Sequence, residues 1–449
     1  AGEHDLVVRV DNTHDMISTI PSAILDWFRY GGIFRPVWIE ELQHSAYVAS
    51  LRLTPAIVNG MPTLRVRAEL INLSDETIQD EWRLYVDGSP LRTERCRLRP
   101  HDAEVLLFAV ELPEAALWAP TTPRLYTVRL EFAGDDLIER TGFRQIAIMG
   151  EQIHLNGEPL HLRGVNRHED HPDWGLALPP HLMLRDLELI EDLHINALRG
   201  SHYPNDQRML DLCDERGLLF VEEIPLWGFR QEQLRLDIIG DRAAAMLWAM
   251  IERDIAHPCL WAWSLLNECA TDTLEGRLVM EHLVETAREI DPTRPLTFAS
   301  DRGADDLCFD LVDVICLNAY WGWYRHERTW EQFLDEMRAR VGAKPIIVSE
   351  FGAGGLYGCH ALEQGVVWSE EHQRQIVLEA LDTFLQRTDL AGFFIWQFCD
   401  TRTDGGERAL RRPRNYNNKG LLNEYRLPKL AYEAVRCRLA ESLASSADC

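Results

Sequence analysis

The sequence predicts a multidomain chain in which an immunoglobulin-like β-sandwich precedes a (β/α)8 barrel, and two patterns of apolar residues support this. From about residue 43 to 146, short runs such as AYVASLRLTP, TLRVRAELIN and LYTVRLEF alternate apolar and polar residues, and turn formers such as VNGMP and DGSP separate them. Such alternation is typical of an antiparallel sandwich. After residue 150, apolar strand candidates alternate with amphipathic stretches. Eight such units fit a (β/α)8 barrel, which takes about 250 residues.

Each strand candidate of the barrel is a short apolar run. In chain order the eight runs are LHLRGVN, INALRGSH, LLFVEEIP, LWAWSLLNE, PLTFAS, DVICLNAY, PIIVSEFG and LAGFFIWQF. Stretches with the apolar spacing of helices, such as LRDLELIEDLH and EEHQRQIVLEALDTFLQR, lie between most of them. The link between the fifth and sixth runs is too short for a long helix. We therefore place the sandwich at residues 43–146 and the barrel at residues 147–449.

The composition narrows the class of protein. The chain of 449 residues has a formal net charge of −26, which argues against a nucleic-acid or anionic-membrane partner. An acidic ligand would need a local cation. No apolar run approaches the ~20 residues that span a bilayer. The ten cysteines form no CxxC pair, so we expect free thiols and a cytoplasmic location. The first residues, AGEHDLVVRV, show no signal peptide and resemble the middle of a strand, so we expect further sequence upstream.

Polar residues at the carboxyl ends of the strand candidates indicate where function lies, because the active sites of (β/α)8 barrels sit at that end. The set is rich in carboxylates, amides and aromatic side chains and contains no cluster of metal-ligand type. We therefore expect a carbohydrate site without a metal or a cofactor. The residues are Asn166, Arg167, His168, Arg199, His202, Glu222, Glu223, Asn267, Glu268, Asn318, Tyr320, Glu350, Trp396 and Asp400.

Two of these carboxylates, Glu268 and Glu350, suggest glycoside hydrolysis. They end the fourth and the seventh strand candidates, which lie on opposite sides of an eight-stranded barrel, so their side chains can face each other across its mouth. Retaining glycosidases hold two carboxyl groups about 5–5.5 Å apart. Asn267, just before Glu268, is placed to bond a sugar hydroxyl. The alternative is that both glutamates are solvated loop residues, as most glutamates are.

The motifs GVNRHED, RGSHYPND, WSLLNE, ICLNAYWGWY, SEFGAGGLYG and WQFCD, in this order along the barrel, resemble glycoside hydrolase family 2 and within it the β-glucuronidases. The resemblance implies a sandwich equivalent to the family's immunoglobulin-like domain. Residues 1–42, with ILDWFRYGGIFRPVWIE, resemble the end of the family's jelly-roll domain. Only the last part of that domain is present, so the resemblance implies a partial jelly roll and a fragment or truncated gene product.

The resemblance also implies roles for the barrel residues. Glu350 matches the family nucleophile and Glu268 the acid/base of a retaining double displacement. Arg199 and His202 match a pair near the nucleophile and the sugar. We expect the other sugar contacts to be Asn267, Asn318, Tyr320, Tyr324 and Trp396. Each aromatic residue could instead belong to the core, and the loop of His168, Glu169 and Asp170 could be functional or structural.

The stretch NYNNKG contains one of only three lysines in the chain. In the β-glucuronidases an Asn-x-Lys motif after the eighth strand contacts the C6 carboxylate, and Asn417 and Lys419 match it. The alternative is a surface lysine in a polar turn. The arginine that accompanies the motif aligns imperfectly with Arg412 and Arg414, of which we select Arg414. Asp26 matches an acidic residue that reaches the sugar.

Three hypotheses for the function remain. The first is hydrolysis of β-glucuronides, or of β-galacturonides, since Lys419 reads the carboxylate and not the C4 hydroxyl. The second is a family member acting on neutral sugars such as β-galactosides. The third is an inactive, carbohydrate-binding remnant. The short stretch between Trp227 and the third helix predicts an open site that tolerates oligosaccharide leaving groups as well as small ones. A homo-oligomer is possible, although no surface feature of the sequence indicates one.

Overall fold

The computed structural model describes residues 5–363, 365–404 and 411–447. Its first part, residues 5–45, contains no helix or strand. This segment lies across the barrel through specific bonds: the Tyr30 hydroxyl donates to Asp170 at 2.6 Å, and Arg35 pairs with Glu169 at 2.5 Å. Glu169 and Asp170 therefore act as anchors for this segment. The predicted jelly-roll remnant forms no strand within residues 5–42, because strands without partners leave their backbone groups unpaired.

Seven strands follow and form two antiparallel sheets with the orders β1-β2-β5 and β4-β3-β6-β7. Their inward side chains, such as Leu64 and Val66 from one sheet and Leu84 and Leu130 from the other, belong to one hydrophobic core. The alternation in the sequence arises because successive strand residues face the core and the solvent in turn. The strands are β1 (Ala46–Val58), β2 (Met61–Asn72), β3 (Ile78–Val86), β4 (Ser89–Leu98), β5 (Asp102–Glu111), β6 (Tyr126–Phe132) and β7 (Asp135–Thr141).

A small antiparallel sheet leads from these strands into a closed barrel of eight parallel strands. The small sheet consists of β8 (Ile146–Met149), β9 (Gln152–Leu155) and β10 (Glu158–Leu160). The barrel strands are β11 (Leu162–Arg167), β12 (Ala197–Gly200), β13 (Leu219–Glu223), β14 (Leu260–Asn267), β15 (Leu296–Ser300), β16 (Ile315–Asn318), β17 (Ile346–Phe351) and β18 (Leu390–Ile395). Every predicted barrel strand is confirmed. Only a short 3-10 helix, Gly303–Asp305, lies between β15 and β16, as the short link predicts.

Helices cover the outside of the barrel. They are α1 (Pro180–Asp192), α2 (Gln207–Arg216), α3 (Gln231–Leu234), α4 (Asp237–Asp254), α5 (Leu274–Ile290), α6 (Trp330–Val341), α7 (Glu370–Gln386) and α8 (Leu430–Ala447). After β18, two short strands, β19 (Thr401–Arg402) and β20 (Tyr416–Asn417), pair with each other. None of the helices in the described residues has the length and hydropathy that crossing a bilayer requires. The nine cysteines in the same residues carry free thiols.

The two-sheet region packs against the barrel near the amino end of β14. The Arg144 guanidinium is buried and donates to the backbone oxygens of Pro258 and Leu260. The Trp118 indole donates to the backbone oxygen of Asp214 at 2.9 Å. Because Leu260 is the first residue of β14, this contact lies at the end of the barrel opposite to the carboxyl ends of the strands. The carboxyl ends are therefore left to residues of the barrel and of the N-terminal segment.

A buried ion network ties the first barrel strand to the first helix. Asp186 of α1 pairs with Arg167 of β11 at 2.8 Å and with Arg426, which precedes α8, at 2.9 Å. All three side chains are almost completely buried. Burial by itself would raise the pKa of Asp186, but the two guanidinium groups hold this pKa below its ordinary value. Asp186 is thus the carboxylate that both buried guanidinium groups share.

We predict that Asp186→Ala lowers the free energy of unfolding by about 3–5 kcal/mol, because it leaves two arginines buried without their partner. Chemical denaturation at pH 7 measures this. The matched control on the same helix is Glu188→Ala, since Glu188 pairs with Arg185 on the surface and should contribute less than about 1 kcal/mol. Because a lowered carboxyl pKa stabilises the fold only above the unfolded pKa, the difference between wild type and Asp186→Ala should shrink below about pH 4. Equal losses from both variants would contradict the prediction.

Candidate active site

A cavity of about 680 Å³ opens at the carboxyl ends of the barrel strands. Both predicted catalytic glutamates line it, together with most of the predicted sugar contacts. The predicted residues in its wall are Asp26, His202, Glu268, Asn318, Tyr320, Tyr324, Glu350, Trp396, Asn417 and Lys419. Ten of the thirteen predicted site residues thus lie in one cavity wall, and Arg199, Asn267 and Arg414 lie outside it.

Glu350, on β17, is held by two donors. Its Oε1 accepts a hydrogen bond from Arg199 at 2.8 Å and its Oε2 accepts one from the Tyr320 hydroxyl at 2.7 Å. The side chain is only 4% exposed. A carboxylate with a guanidinium and a phenol bonded to its two oxygens is held in one orientation. Burial, followed by the charge of Glu350, raises the pKa of Tyr320 well above its ordinary value, so this hydroxyl remains a donor.

Arg199, on β12, is buried between two carboxylates. Besides Glu350, it donates to Glu223 at 2.8 Å and to the Asn267 amide oxygen at 2.8 Å. Burial by itself would lower the pKa of Arg199, but Glu223 and Glu350 raise it above its ordinary value. Burial by itself would raise the pKa of Glu223, but Arg199 and His202 lower it to about 2. Glu223 therefore supplies the charge that balances Arg199 while Glu350 remains available for chemistry.

Glu223 is a residue that the sequence analysis placed on the rim without a role. It ends β13, its Oε1 lies 2.8 Å from His202 Nδ1, and its Oε2 accepts a hydrogen bond from the Ser264 hydroxyl at 2.5 Å. The adjacent Glu222 accepts a bond from the Asn205 backbone instead. Successive strand residues point to opposite sides. The alternation of side chains along β13 is therefore the signal that could have distinguished Glu223, which faces the site, from Glu222, which does not.

Glu268 directly follows β14 and shares a partner with Asn267. The Asn318 side-chain nitrogen donates to Glu268 Oε1 and to the Asn267 side-chain oxygen, both at 3.0 Å. The Asn267 oxygen is thus fully used by Arg199 and Asn318. Its amide nitrogen is buried and has no hydrogen-bond partner among the described residues. That N–H group is the one that remains for a ligand.

Lys419 lies among aromatic rings and is only 5% exposed. Its Nζ donates to the Tyr324 hydroxyl at 2.6 Å and lies 4.7, 5.5 and 5.9 Å from the ring centroids of Tyr324, Tyr320 and Trp323. Burial lowers the pKa of Lys419, and the neighbouring Tyr324 opposes this shift. An ammonium in a partly apolar wall gains from a negative ligand, because burial removes most of its hydration. The interpretation of Lys419 as a lysine in a surface turn is therefore wrong.

The loop that carries Lys419 is held by a second, fully buried lysine. Lys429 pairs with Asp400 at 2.6 Å and donates to the backbone oxygens of Gly355 and Asn418. Asp400 in turn accepts from the Gly420 amide at 2.9 Å. A side chain at position 420 would place its Cβ 2.2 Å from the Asp400 nitrogen, so only glycine fits beside Lys419. The spacing of NNKG is therefore set by close packing against the chain that follows β18.

The arginine near this motif is Arg412, and the choice of Arg414 is not supported by the placement of its side chain. Arg412 lines the cavity and pairs with Asp26 at 2.5 Å. Arg414 pairs with Glu424 at 3.0 Å, and its side chain is 51% exposed outside the cavity. Arg414 and Asn415 both have left-handed backbone conformations, with φ of 59° and 60°. The turn that they form lies between Arg412 and Lys419, and the Arg414 side chain lies outside the cavity.

Several buried polar atoms around the cavity have no hydrogen-bond partner in the part of the chain that the structure describes. Buried polar groups are normally satisfied, so such a cluster indicates a place for a polar ligand. The atoms belong to both donors and acceptors, as a hydroxylated acid requires. In the cavity wall they are Asp26 Oδ1, Asp301 Oδ1, Trp321 Nε1, Trp323 Nε1, Arg412 Nη1, Asn417 Nδ2, Asn417 Oδ1 and Asn418 Oδ1, and Asn267 Nδ2 lies next to Glu268.

An aromatic cluster forms another wall and includes the N-terminal segment. The Trp396 ring stacks on His202 with centroids 5.2 Å apart and meets the edge of His168 at 5.5 Å. Trp27, from the segment before the first strand, contacts His168, His202 and Trp227. His168 therefore packs beside the site, while its neighbours Glu169 and Asp170 anchor the segment. Of these three loop residues, Glu169 and Asp170 are structural, and His168 borders the cavity wall at Trp396.

A second cavity of about 460 Å³ shares Trp227, Glu268, Asp301 and Arg302 with the first. Glu268 thus lies where the two cavities meet. The remaining lining is mostly polar and comes from the N-terminal segment, from the stretch after Trp227 and from the loop after Glu268. These residues are Met16, Ser22, Ile24, Gly228, Arg230, Gln231, Glu232, Gln233, Ala270, Asp272 and Thr273. Asp301 and Arg302 directly follow β15, so the rule that selected the other rim residues could have found them.

One cluster with metal-ligand atoms occurs elsewhere. Asp211, Asp214 and His257 lie close together near the contact between the barrel and the two-sheet region. Asp214 pairs with His257 at 2.6 Å, and Asp211 pairs with Arg140 at 3.1 Å. These charges are already compensated within the protein, so the cluster carries no argument for a metal.

Comparison with known proteins places this site in a family. Residues 146–442 match the family model described as glycosyl hydrolases family 2, TIM barrel domain. The chain is 28% identical to a β-glucuronidase from Paenibacillus borealis, covering 96% of this chain and 73% of that protein. It is 26% identical to the human β-glucuronidase, covering 93% of this chain and 65% of that protein. The chain therefore spans about two thirds to three quarters of the length of these relatives.

Solved structures agree. A family 2 β-galacturonidase from Eisenbergiella tayi, bound to galacturonate, is 36% identical, with a TM-score of 0.88 over 96% of this chain and 78% of that one. A β-glucuronidase from Ruminococcus gnavus, in complex with D-glucaro-d-lactam, is 25% identical, with a TM-score of 0.79 over 96% of this chain and 76% of that one. These findings confirm the predicted resemblance to the β-glucuronidases. The chain belongs to glycoside hydrolase family 2.

Proposed function

We propose that the chain is a retaining β-glucuronidase that hydrolyses terminal β-D-glucuronides through a glycosyl–enzyme intermediate. The observation that carries the proposal is the buried ammonium of Lys419 in the wall of a cavity that also contains two glutamates. In a chain with a net charge of −26, a buried cation at this place is a specific feature. It is what an anionic sugar requires.

The first half of the reaction uses Glu350 and Glu268. Glu350 attacks the anomeric carbon, and the bond from that carbon to the leaving oxygen breaks as Glu268 gives its proton to this oxygen. Arg199 and Tyr320 keep the Glu350 oxygens oriented until the attack. The product is an ester between Glu350 and the uronyl group, and the alcohol leaves.

The second half returns the enzyme to its starting state. Glu268, now ionised, accepts a proton from a water molecule, whose oxygen attacks the anomeric carbon and displaces Glu350. The two inversions together retain the configuration at this carbon. Asn267, which has a free buried N–H, is placed to bond a sugar hydroxyl during both steps. Trp396 and His202 supply an apolar face for the ring.

The C6 carboxylate of the sugar is bonded in this proposal by Lys419, with Arg412 and Asn417 beside it. A charge-assisted hydrogen bond contributes about 1.5–3 kcal/mol. Arg412 still has a buried nitrogen without a partner, although it pairs with Asp26. A neutral sugar would leave the Lys419 ammonium without an anion, and a polar site discriminates strongly against a ligand that leaves its groups unpaired. The pocket therefore favours uronic acids over neutral hexoses.

A β-galacturonidase is the second candidate. Galacturonic acid differs from glucuronic acid only in the configuration at C4, which Lys419 does not read. The structural neighbour with 36% identity is described as a β-galacturonidase. Asp26, with its free buried oxygen, is a suitable acceptor for a hydroxyl at this position.

The remaining domain assignments support the same scheme. We propose that residues 43–146 are an immunoglobulin-like sandwich and that residues 1–42 derive from a jelly-roll domain. Two antiparallel sheets over one core support the first assignment. The second draws on the way Asp26 and Trp27 complete the cavity wall. Residues 147–449 then form the catalytic domain. A homo-oligomer remains a prediction.

Substitution of Lys419 tests the proposal. For Lys419→Met, kcat/KM on 4-nitrophenyl β-glucuronide should fall roughly 10- to 100-fold, because a charge-assisted bond is lost. The value for 4-nitrophenyl β-galactoside, measured in parallel, should not fall, because a neutral sugar offers no carboxylate. Assays with the β-galacturonide show which uronide the wild type prefers.

The two arginines near the motif provide a matched control pair. Arg412→Ala should lower kcat/KM on the glucuronide, while Arg414→Ala should leave it unchanged, because Arg414 lies outside the cavity. Preference of the wild type for the galactoside, unaffected by Lys419→Met, would refute a uronidase. Absence of turnover on all three substrates by the full-length gene product would favour a binding remnant.

The second cavity predicts which leaving groups are accepted. It begins at Glu268, which protonates the leaving oxygen, and its wall is mostly polar. A sugar can bond such a wall through its hydroxyls, whereas an aromatic ring leaves these groups unpaired. Only residues 228–230 lie between Trp227 and α3, so no long insertion covers this cavity.

We therefore expect the enzyme to hydrolyse a disaccharide in which a β-glucuronyl unit is linked to a neutral hexose. Its kcat/KM should be within about tenfold of that for phenyl β-glucuronide, since several hydroxyl bonds offset the poorer leaving group. Released hexose measured against released phenol gives this ratio. Rates on the phenyl compound far above those on the disaccharide would show that the cavity does not receive a sugar.

A further inference from the structure

The backbone of Glu268 has an unusual conformation. Its φ of 50° lies in the left-handed region, which L-residues other than glycine avoid. This conformation costs about 1–3 kcal/mol and persists where the surrounding structure enforces it, often at active sites. The strain therefore requires bonds that hold residues 267–269 in place.

Backbone bonds supply part of this hold. The Glu268 amide donates to the Ala299 oxygen at 2.9 Å, and the Asn267 oxygen accepts from the Gly228 amide at 2.8 Å. These bonds fix the chain on the sides of β15 and of the stretch after Trp227. The backbone oxygen of Cys269 accepts in addition from the Thr271 amide at 2.8 Å.

The guanidinium of Arg302 bonds the backbone oxygens of Glu268 and Cys269. Its Nη2 donates to Glu268 O at 3.2 Å, and its Nε donates to Cys269 O at 3.1 Å. In an extended strand, successive backbone oxygens point to opposite sides, and the left-handed residue turns these two toward one side. A planar fork of donors can then bond both, which a point charge such as lysine cannot do in the same way.

Arg302 is itself held by two carboxylates. Its Nε lies 3.1 Å from Asp301 Oδ1 and 3.7 Å from Asp272 Oδ1. Its side chain is 32% exposed and lies in the wall that the two cavities share. It is therefore neither a core residue nor a part of the carboxylate pocket around Lys419.

We propose that Arg302 is a positioning residue for the acid/base: through its two backbone bonds it keeps Glu268 in the left-handed conformation that aims the carboxyl group at the leaving oxygen. This inference rests on the proposed function, since it assigns Glu268 the proton transfer. Asn318 fixes the carboxyl end of the side chain, and Arg302 fixes its backbone end. Both ends must be fixed, because a misplacement of about 1 Å can cost about 100-fold in rate.

The role predicts a dependence on the leaving group. Phenol is a poor leaving group and needs the proton of Glu268, whereas 2,4-dinitrophenolate leaves without one. A displaced Glu268 therefore impairs the first substrate and spares the second. A loss of folding, or of a contact to the sugar, would instead impair both substrates equally.

The experiment measures kcat/KM for a series of aryl β-glucuronides from phenyl to 2,4-dinitrophenyl. The variant is Arg302→Lys, which keeps a positive charge for Asp301 and Asp272 but loses the fork. We expect a fall of about 100-fold on the phenyl substrate and of less than about threefold on the dinitrophenyl substrate. Arg325→Ala is the matched control, since Arg325 is also an exposed arginine on the cavity rim and has no bond to these backbone oxygens.

A second measurement uses azide with the dinitrophenyl substrate. Azide attacks the glycosyl–enzyme intermediate without a general base, so it should raise kcat of Arg302→Lys and yield the β-glucuronyl azide, as it should for Glu268→Ala. Equal losses across the aryl series, or no effect of azide, would overturn the positioning role. If the wild type hydrolyses none of these glucuronides, the proposed function fails instead, and the two failures are thereby distinguished.

Discussion

The site depends on one buried cation, Arg199, placed between two carboxylates. It joins β12 to Asn166 of β11, to Glu223 of β13, to Asn267 of β14 and to Glu350 of β17, so five strands share one guanidinium. A buried charge is tolerated only when it is paired and fully bonded, and the pairing here is what brings the strand ends into register. Because Glu223 has a pKa of about 2 and balances Arg199 permanently, Glu350 can give up its ion pair during the reaction.

The two halves of the cavity are supported in different ways. Glu350 lies within a strand, and its partners are side chains of other strands, so regular barrel geometry orients it. Glu268 and Lys419 lie just beyond strand ends, where no ladder of hydrogen bonds continues. Their positions depend on side chains that bond backbone oxygens, Arg302 for Glu268 and Lys429 for the loop of Lys419. In the irregular parts of the site, charged side chains therefore hold the backbone in place of a strand ladder.

This difference also explains how much could be predicted from the sequence. The eight barrel strands and the two glutamates follow from periodicity and from the rule that function lies at carboxyl strand ends. To predict the roles of Glu223 and Arg302, one must know which side chains of β13 face inward and how the loop after β15 runs. No local sequence pattern gives either. Arg414, the arginine selected from the sequence, is the first of two consecutive left-handed residues, where the chain turns, and its side chain lies outside the cavity. Spacing is informative along regular elements and next to the close contact of Gly420, and it is uninformative across such a turn.

The scarcity of lysine gains a physical meaning from these placements. Two of the three lysines, Lys344 and Lys429, occupy positions where one compact cation bonds several oxygens. Lys344 donates to three backbone oxygens, those of Phe309, Asp310 and Val312, and Lys429 donates to two backbone oxygens and to Asp400. Lys419 has only Tyr324 as a hydrogen-bond partner among the described residues, although an ammonium carries three N–H donors. The ammonium groups of Lys344 and Lys429 each donate to three protein oxygens, whereas that of Lys419 donates to one among the described residues. The remaining donors of Lys419, buried beside Arg412 and Asn417, support the proposed contact with a carboxylate.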